Sequence, residues 1–421
     1  MIAIPFSCSQ EGNFLDTNES FYRQDTCTEN TGHTYELYIP GNARACSQLP
    51  LIIILDPHGN GKSAIERFIP ASENYKCMLA ASNYVKNNFN GYLDEISLLL
   101  NDIQEKYPTN GKIFVAGFSG GARMALSFGQ RNIVNGVIAC GALATRNQII
   151  TIRAPVYAMT GMQDFNFIET AQYIFQPENA PGNLNIELTD ELHEWPSPNE
   201  LNNAVAYMIL SDDVGNRKCM NVQKVTHELT EKRKKEIENL KKKGNFLSAM
   251  LITKNMAHLH NEEIVNHFQP MLNSLEFSPE LNEELNRLRE SIRFELSVRE
   301  AYMNALLTEN LPWWKNEINS LNSNIKKDRD HFRNLAYKRI KAFLGIMCYT
   351  VTGKTIRSGD MKNAEKLLAV YRFLEPTNPD MFYFHALYFK KKGNLNTAGE
   401  FLQKAIDAGF SDRELIEQID L

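Results

Sequence analysis

Seven short strand-like runs, several of them nearly all apolar, punctuate the first half of the chain: Thr34 to Ile39, Leu51 to Leu55, Cys77 to Ala81, Ile113 to Ala116, Val134 to Cys140, Val156 to Thr160 and Leu184 to Leu188. Runs of this length with few polar positions predict strands buried on both faces. Between them, apolar residues recur three and four apart, which predicts helices near 62–69, 91–106, 121–130, 167–175 and 198–211. Strand and helix in alternation predict an α/β fold, a doubly wound and mostly parallel sheet with ligands at the carboxyl ends of its strands. The pattern changes near Ser211-Asp212-Asp213-Val214-Gly215-Asn216, and from about residue 222 only helical spacing remains. The expected organisation is an N-terminal segment over 1–25, an α/β domain over 26–215 and an all-α domain over 216–421.

The helical half carries two further patterns. The run Lys232-Arg233-Lys234-Lys235-Glu236 is basic, but Glu231, Glu236 and Glu238 interleave with it, which predicts a solvated helix face. Gly359 and Gly393, Ala364 and Ala398, and Leu368 and Leu402 are each 34 residues apart, and Pro376 closes the first unit. Lys241-Lys242-Lys243-Gly244-Asn245 echoes Lys390-Lys391-Lys392-Gly393-Asn394. A turn glycine, a small residue five later and an apolar one four after that resemble tetratricopeptide repeats near 337–421. The resemblance implies a surface for a protein partner, and a generic helical domain with similar turns is the alternative. Trp313-Trp314 after Pro312 reads as helix-packing core.

Composition narrows the classes. A chain of 421 residues is too long for one ordinary core, so two domains are expected. The net charge of −5 and the lack of an aromatic-studded basic stripe argue against a nucleic-acid partner. No apolar run is long enough to span a bilayer. The seven cysteines form no C-x-x-C pair, which argues against zinc and redox motifs. Cys140 reads as a buried thiol, and Cys27 and Cys46 flank a strand and are placed to pair in an oxidising compartment. The apolar start Met1-Ile2-Ala3-Ile4-Pro5-Phe6-Ser7 ends at Cys8. It resembles the tail of a bacterial lipoprotein signal, which implies a periplasmic or lipid-anchored protein of the cell envelope rather than a cytoplasmic one. It lacks a basic region, and Pro5-Phe6 departs from that pattern, so a free end is the alternative.

The chemistry centres on Gly117-Phe118-Ser119-Gly120-Gly121, which follows the run ending at Ala116 and precedes a helix-like segment. Strand, tight turn and helix around G-x-S-x-G is the setting of a nucleophile elbow, where Gly117, Gly120 and Gly121 leave room for a strained serine. A serine hydroxyl needs an adjacent base, and the base an orienting acid, in the chain order Ser, Asp, His. Gly161-Met162-Gln163-Asp164 follows one strand and offers Asp164, whose plain alternative is a turn carboxylate capping the next helix. Thr189-Asp190-Glu191-Leu192-His193 follows the last strand and offers His193. An oxyanion hole needs backbone N–H groups from Gly120 and from the loop Asp56-Pro57-His58-Gly59-Asn60. Pro57 has no N–H, so Asn60 or Gly59 is the expected donor, with Asn60 preferred. His58 reads as a structural residue of that loop.

Together, His58-Gly59, Ser82-Asn83, Gly117 to Gly121, Gly161 to Asp164 and His193-Glu194-Trp195-Pro196 resemble the α/β-hydrolases. The likeness is to the branch of secreted esterases around feruloyl esterases and polyhydroxybutyrate-depolymerase-like proteins, over about residues 30–211. It implies Ser119 as nucleophile, His193 as base, Asp164 as acid, no cofactor or metal, and a small-molecule or polymer-linked ester as substrate. Two positions depart from it: Glu191 stands where a glycine often precedes the histidine, and Thr160 where a histidine often precedes the glycine. An acyl-peptidase with the same triad, or a scaffold that binds a partner through its repeats, are the alternatives. Gly59-Asn60-Gly61-Lys62-Ser63 looks like the end of a phosphate-binding loop, but Asp56 stands where that motif needs its first glycine.

Overall fold

The computed structural model describes residues 19–43, 46, 48–212, 220–259 and 261–419. The lipoprotein-like stretch through Cys8 lies outside the described residues. Two compact units divide the chain, Met1–Leu285 and Asn286–Leu421.

The first unit is built on one eight-stranded sheet: β1 (Phe21–Thr26), β2 (Thr34–Ile39), β3 (Leu49–Leu55), β4 (Met78–Ser82), β5 (Thr109–Phe118), β6 (Gly136–Cys140), β7 (Val156–Gly161) and β8 (Leu184–Thr189). Their spatial order is β1-β2-β4-β3-β5-β6-β7-β8. β2 runs antiparallel to both of its neighbours, and the pairs from β4 through β8 are parallel. The seven runs are all strands. All seven are buried along their central residues, as two covered faces require. β1 was not expected. Its Tyr22, Arg23 and Gln24 are exposed, and an edge strand of this kind needs no apolar alternation.

The helices of the first unit are α1 (Gly61–Tyr75), α2 (Tyr92–Lys106), α3 (Gly120–Arg131), α4 (Arg146–Ile149), α5 (Phe167–Phe175), α6 (Pro198–Ser211), α7 (Val222–Lys242), α8 (Phe246–Ala257) and α9 (Glu262–Glu276). The parallel sheet flanked by helices, followed by an all-helical stretch, is the α/β-hydrolase architecture with a helical domain after it.

The helices α6 to α9, beyond the last strand, belong to this unit, and polar side chains tie α7 and α8 to β8. Asn255 of α8 donates to Ile186 O at 2.8 Å and accepts from Ile186 N at 3.3 Å, so one amide satisfies the open edge of β8. Arg233 of α7 is only 1% exposed and pairs with Glu187 of β8 at 2.6 Å and 3.1 Å. The Tyr157 hydroxyl donates to the same carboxylate. This corrects the expected solvated face: Lys235 is exposed, Lys232 is half-buried against Asn199 and Asn203, and Arg233 itself points into the core.

Cysteine pairing also differs. Cys27 is a buried free thiol, pushed up to about 11 by burial and then by Asp102. Cys46 is disulfide-bonded, so not to Cys27. Cys140 is a free thiol whose complete burial holds it well above its ordinary value, which suits an inert core residue.

The second unit contains most of α10 (Pro279–Thr308) and then α11 (Leu311–Lys327), α12 (His331–Ser358), α13 (Met361–Leu374), α14 (Pro379–Lys391), α15 (Leu395–Asp407) and α16 (Arg413–Glu417). Gly359 and Gly393 both sit at positive φ (84° and 76°) between consecutive helices, where a side chain would be strained. Ala364 and Ala398, one turn into the following helices, are fully buried. Trp314 is fully buried as well. Among the described residues no helix is long and apolar enough to cross a membrane.

Candidate active site

β5 delivers Ser119 to the carboxyl edge of the sheet. The residue adopts φ 52° and ψ −116°, one of four non-glycine residues at positive φ among the described residues. Side chains other than glycine resist this conformation, so the surroundings must impose it. They do so in two ways. The Ser119 N–H donates to Cys140 O of β6 at 2.8 Å, and α3 begins at the very next residue.

The flanking glycines are explained by space. A Cβ on Gly117 would lie 2.3 Å from the Gly121 carbonyl, and one on Gly121 would lie 2.0 Å from Leu55 O of β3. Strand and helix cross here with no room for a methyl group, as the elbow motif requires.

Asp164 and His193 arrive from the next two loops. Asp164 follows β7, is 1% exposed, and its Oδ1 accepts from the Asn166 N–H at 2.7 Å. His193 lies between β8 and α6. Its Nδ1 is 2.9 Å from both carboxylate oxygens of Asp164, and its Nε2 is 2.9 Å from Ser119 Oγ. A carboxylate accepts only, so Nδ1 carries the proton and donates to Asp164. Nε2 is then the lone-pair nitrogen, and the Ser119 hydroxyl donates to it. Asp164 does not act as a side-chain cap for α5, whose N-cap is Asn166.

The two loops are stitched to each other. Met162 N donates to Thr189 O at 2.8 Å, and Gln163 Nε2 donates to Asp190 O at 2.7 Å. Gly161 is packed so closely that a Cβ would lie 2.1 Å from Glu191 O. Phe118 and Phe165 flank the imidazole at 4.8 Å and 4.3 Å between ring centres. Beyond it, Ser197 and Glu200 form a reciprocal capping box that fixes the start of α6. His193 is therefore held from both sides, while its side chain keeps 20% of its surface open to solvent. Partial burial, and then the carboxylates Glu200 and Glu194, push the neighbouring Glu191 carboxyl above its ordinary value.

Sequence reasoning missed the part played by Asp56. This buried carboxylate accepts from Trp195 Nε1 at 3.1 Å through Oδ2, and from His58 N at 2.9 Å and Asn60 N at 3.3 Å through Oδ1. Asp56 thus ties the loop after β3 to the loop carrying His193. No local pattern announces it, because Trp195 lies 139 positions away in sequence. Gly59 N closes a turn onto Asp56 O at 3.1 Å, at φ 70°. Asn60 is the N-cap of α1, and its side chain accepts from Ser63 N. Within the phosphate-loop look-alike, the amides of Gly59 and Asn60 are thus committed to Asp56, that of Gly61 to Asn83 Oδ1 and that of Ser63 to the Asn60 side chain. His58 is exposed.

No protein-family model and no curated protein matches the chain. Solved structures similar to it cover the sheet-bearing half. One is Est1E from Butyrivibrio proteoclasticus with ferulic acid bound, at 13% identity and TM-score 0.37, covering 46% of this chain and 100% of that one. A hyperthermophilic esterase from the archaeon Pyrobaculum calidifontis aligns at 10% identity and TM-score 0.35, over 46% of this chain and 85% of its own. The esterase domain of a Rhodothermus marinus protein aligns at 12% and 0.34, over 44% and 95%.

Proposed function

We propose that this chain is a serine hydrolase that cleaves carboxylic esters through an acyl-enzyme. The observation that carries the reading is the unbroken relay from Ser119 Oγ to His193 Nε2 and from His193 Nδ1 to Asp164, with the serine held in an elbow conformation. In the first step Ser119 Oγ attacks the ester carbonyl while His193 Nε2 takes the hydroxyl proton. The carbonyl electron pair moves onto oxygen, and the Gly120 N–H at the start of α3 stabilises that charge. Collapse expels the alcohol, which leaves with the proton from His193. Water then repeats the sequence on the acyl-serine. Asp164 holds the imidazole in the tautomer that can accept and stabilises the imidazolium that forms.

Between β6 and β7, residues 141–154 hold only α4, a helix of four residues. So short an insertion supports an open site and a soluble or polymer-linked ester. In this reading the catalytic residues lie within the expected α/β domain over 26–215, and the turns at Gly359 and Gly393 belong to tetratricopeptide-like hairpins near 337–421.

The reading is tested by steady-state assays of the full chain on p-nitrophenyl butyrate and on the matching p-nitroanilide. Ester turnover well above that of the anilide is expected. A faster anilide would replace the esterase reading with the acyl-peptidase one, and no turnover of either would remove the enzyme reading.

A further inference from the structure

We propose that the side-chain amide of Asn87 is the second oxyanion donor of this site, opposite the Gly120 N–H. The proposal rests on the reading of Ser119 as nucleophile.

The first observation is where Asn87 lies. The space that a Cβ on Gly120 would fill is taken by the Asn87 amide, with Oδ1 1.7 Å, Cγ 2.7 Å and Nδ2 3.1 Å from that position. The amide therefore rests against the residue that follows Ser119. This also explains the glycine at 120, since any larger residue would drive Asn87 away. Gly120 is the first residue of α3, so its N–H has no intrahelical acceptor and stays free for a ligand.

The second observation is that the loop after β3 has no amide left to give. Pro57 has no N–H. His58 N and Asn60 N are on the Asp56 carboxylate, and Gly59 N is on the Asp56 carbonyl. Gly61 N is on Asn83 Oδ1 at 3.1 Å. A donor drawn from these four would have to leave an acceptor, and two of them would present an oxyanion with the negative charge of Asp56 close behind.

The third observation is that Asn87 is positioned but uncommitted. Its backbone N–H donates to Pro57 O at 2.9 Å, which fastens its segment to the loop that would otherwise supply the donor. Asn88 turns the chain at φ 64° just beyond. The Asn87 side chain is exposed and has no hydrogen-bond partner among the described residues. A half-turn about its Cβ–Cγ bond exchanges Oδ1 and Nδ2, so either can face the reacting carbonyl. As the bond from Ser119 Oγ to the carbonyl carbon forms, the π pair moves to oxygen, and that oxygen accepts from Gly120 N–H and Asn87 Nδ2–H.

The test uses the full chain with Asn87→Ala and Asn87→Asp, p-nitrophenyl butyrate, and a short alkyl trifluoromethyl ketone that forms a serine hemiketal. The aspartate variant keeps the shape of asparagine but replaces the donor by an oxygen that is anionic once its carboxyl ionises, and the alanine variant removes the donor without adding charge, so a loss in both, larger in aspartate, is what a missing donor predicts. In both variants kcat is expected to fall about 10²- to 10³-fold with little change in KM, the range for losing one such donor. Affinity for the ketone falls in parallel, because its adduct carries the oxyanion. Aspartate loses more than alanine above the pH at which its carboxyl ionises. Ketone affinity and kcat within about threefold of wild type in Asn87→Asp would overturn the proposal, since removing a true donor costs far more. A Ser119→Ala control separates the two layers: if that variant retains wild-type turnover, the nucleophile reading itself fails.

Discussion

Replacing Ser119 by alanine is expected to lower kcat on p-nitrophenyl butyrate by about 10⁶-fold, the scale seen when a triad nucleophile is removed. The size follows from the proposed chemistry. Without Oγ there is no acyl-enzyme, and the remaining groups only polarise the carbonyl and position a water. The structure gives the substitution little else to act through. Alanine removes one oxygen whose only described side-chain hydrogen bond is to His193 Nε2, and the backbone bond from Ser119 N to Cys140 O is untouched. The positive φ of 52° costs alanine about what it costs serine, so the fold should survive. Circular dichroism and the thermal midpoint should stay close to wild type while turnover disappears. Wild-type turnover in a folded variant would end the account of this site.

Asp164→Asn is expected to lower kcat by about 10⁴-fold while leaving the geometry in place. Asparagine has the same shape as aspartate, but its amide donates as well as accepts. With the carboxylate present, both oxygens accept from His193 Nδ1, which leaves Nε2 free to accept from Ser119. An amide NH₂ turned toward Nδ1 would favour the tautomer with the proton on Nε2, which cannot take the serine proton. The loss should appear in kcat more than in KM, because the acid touches the base and not the substrate. A fall of less than about tenfold would show that His193 needs no orienting acid, against the behaviour of such triads.

How much could be read from the chain alone varied with the range of the interaction. Strands buried on both faces announce themselves through runs such as Leu51 to Leu55, and the elbow through Gly117 to Gly121, because both are local demands of backbone and space. Strand β1 left no such trace, since Arg23, Gln24 and Asp25 suit an edge open to water. Arg233 sits in a lysine-rich stretch whose composition describes a surface, and only its distant partner Glu187 shows that this one side chain turns inward. The change from strands to helices near 212 is plain in the sequence. The attachment of α7 and α8 to β8 is not, because Asn255 and Arg233 act on residues 69 and 46 positions away. Around the site the same rule holds. Ser119, Asp164 and His193 were legible from their places after strands, whereas Asp56 and Asn87 owe their interest to neighbours that only folding supplies.

Labelling the intact chain with a fluorophosphonate and mapping the adduct by peptide mass spectrometry bears most directly on the central claim. A serine made nucleophilic by His193 should carry one adduct, on the peptide holding Ser119, and the His193→Ala protein should label far more slowly. A folded protein that takes up no probe, or takes it up at a serine other than Ser119, would contradict the account.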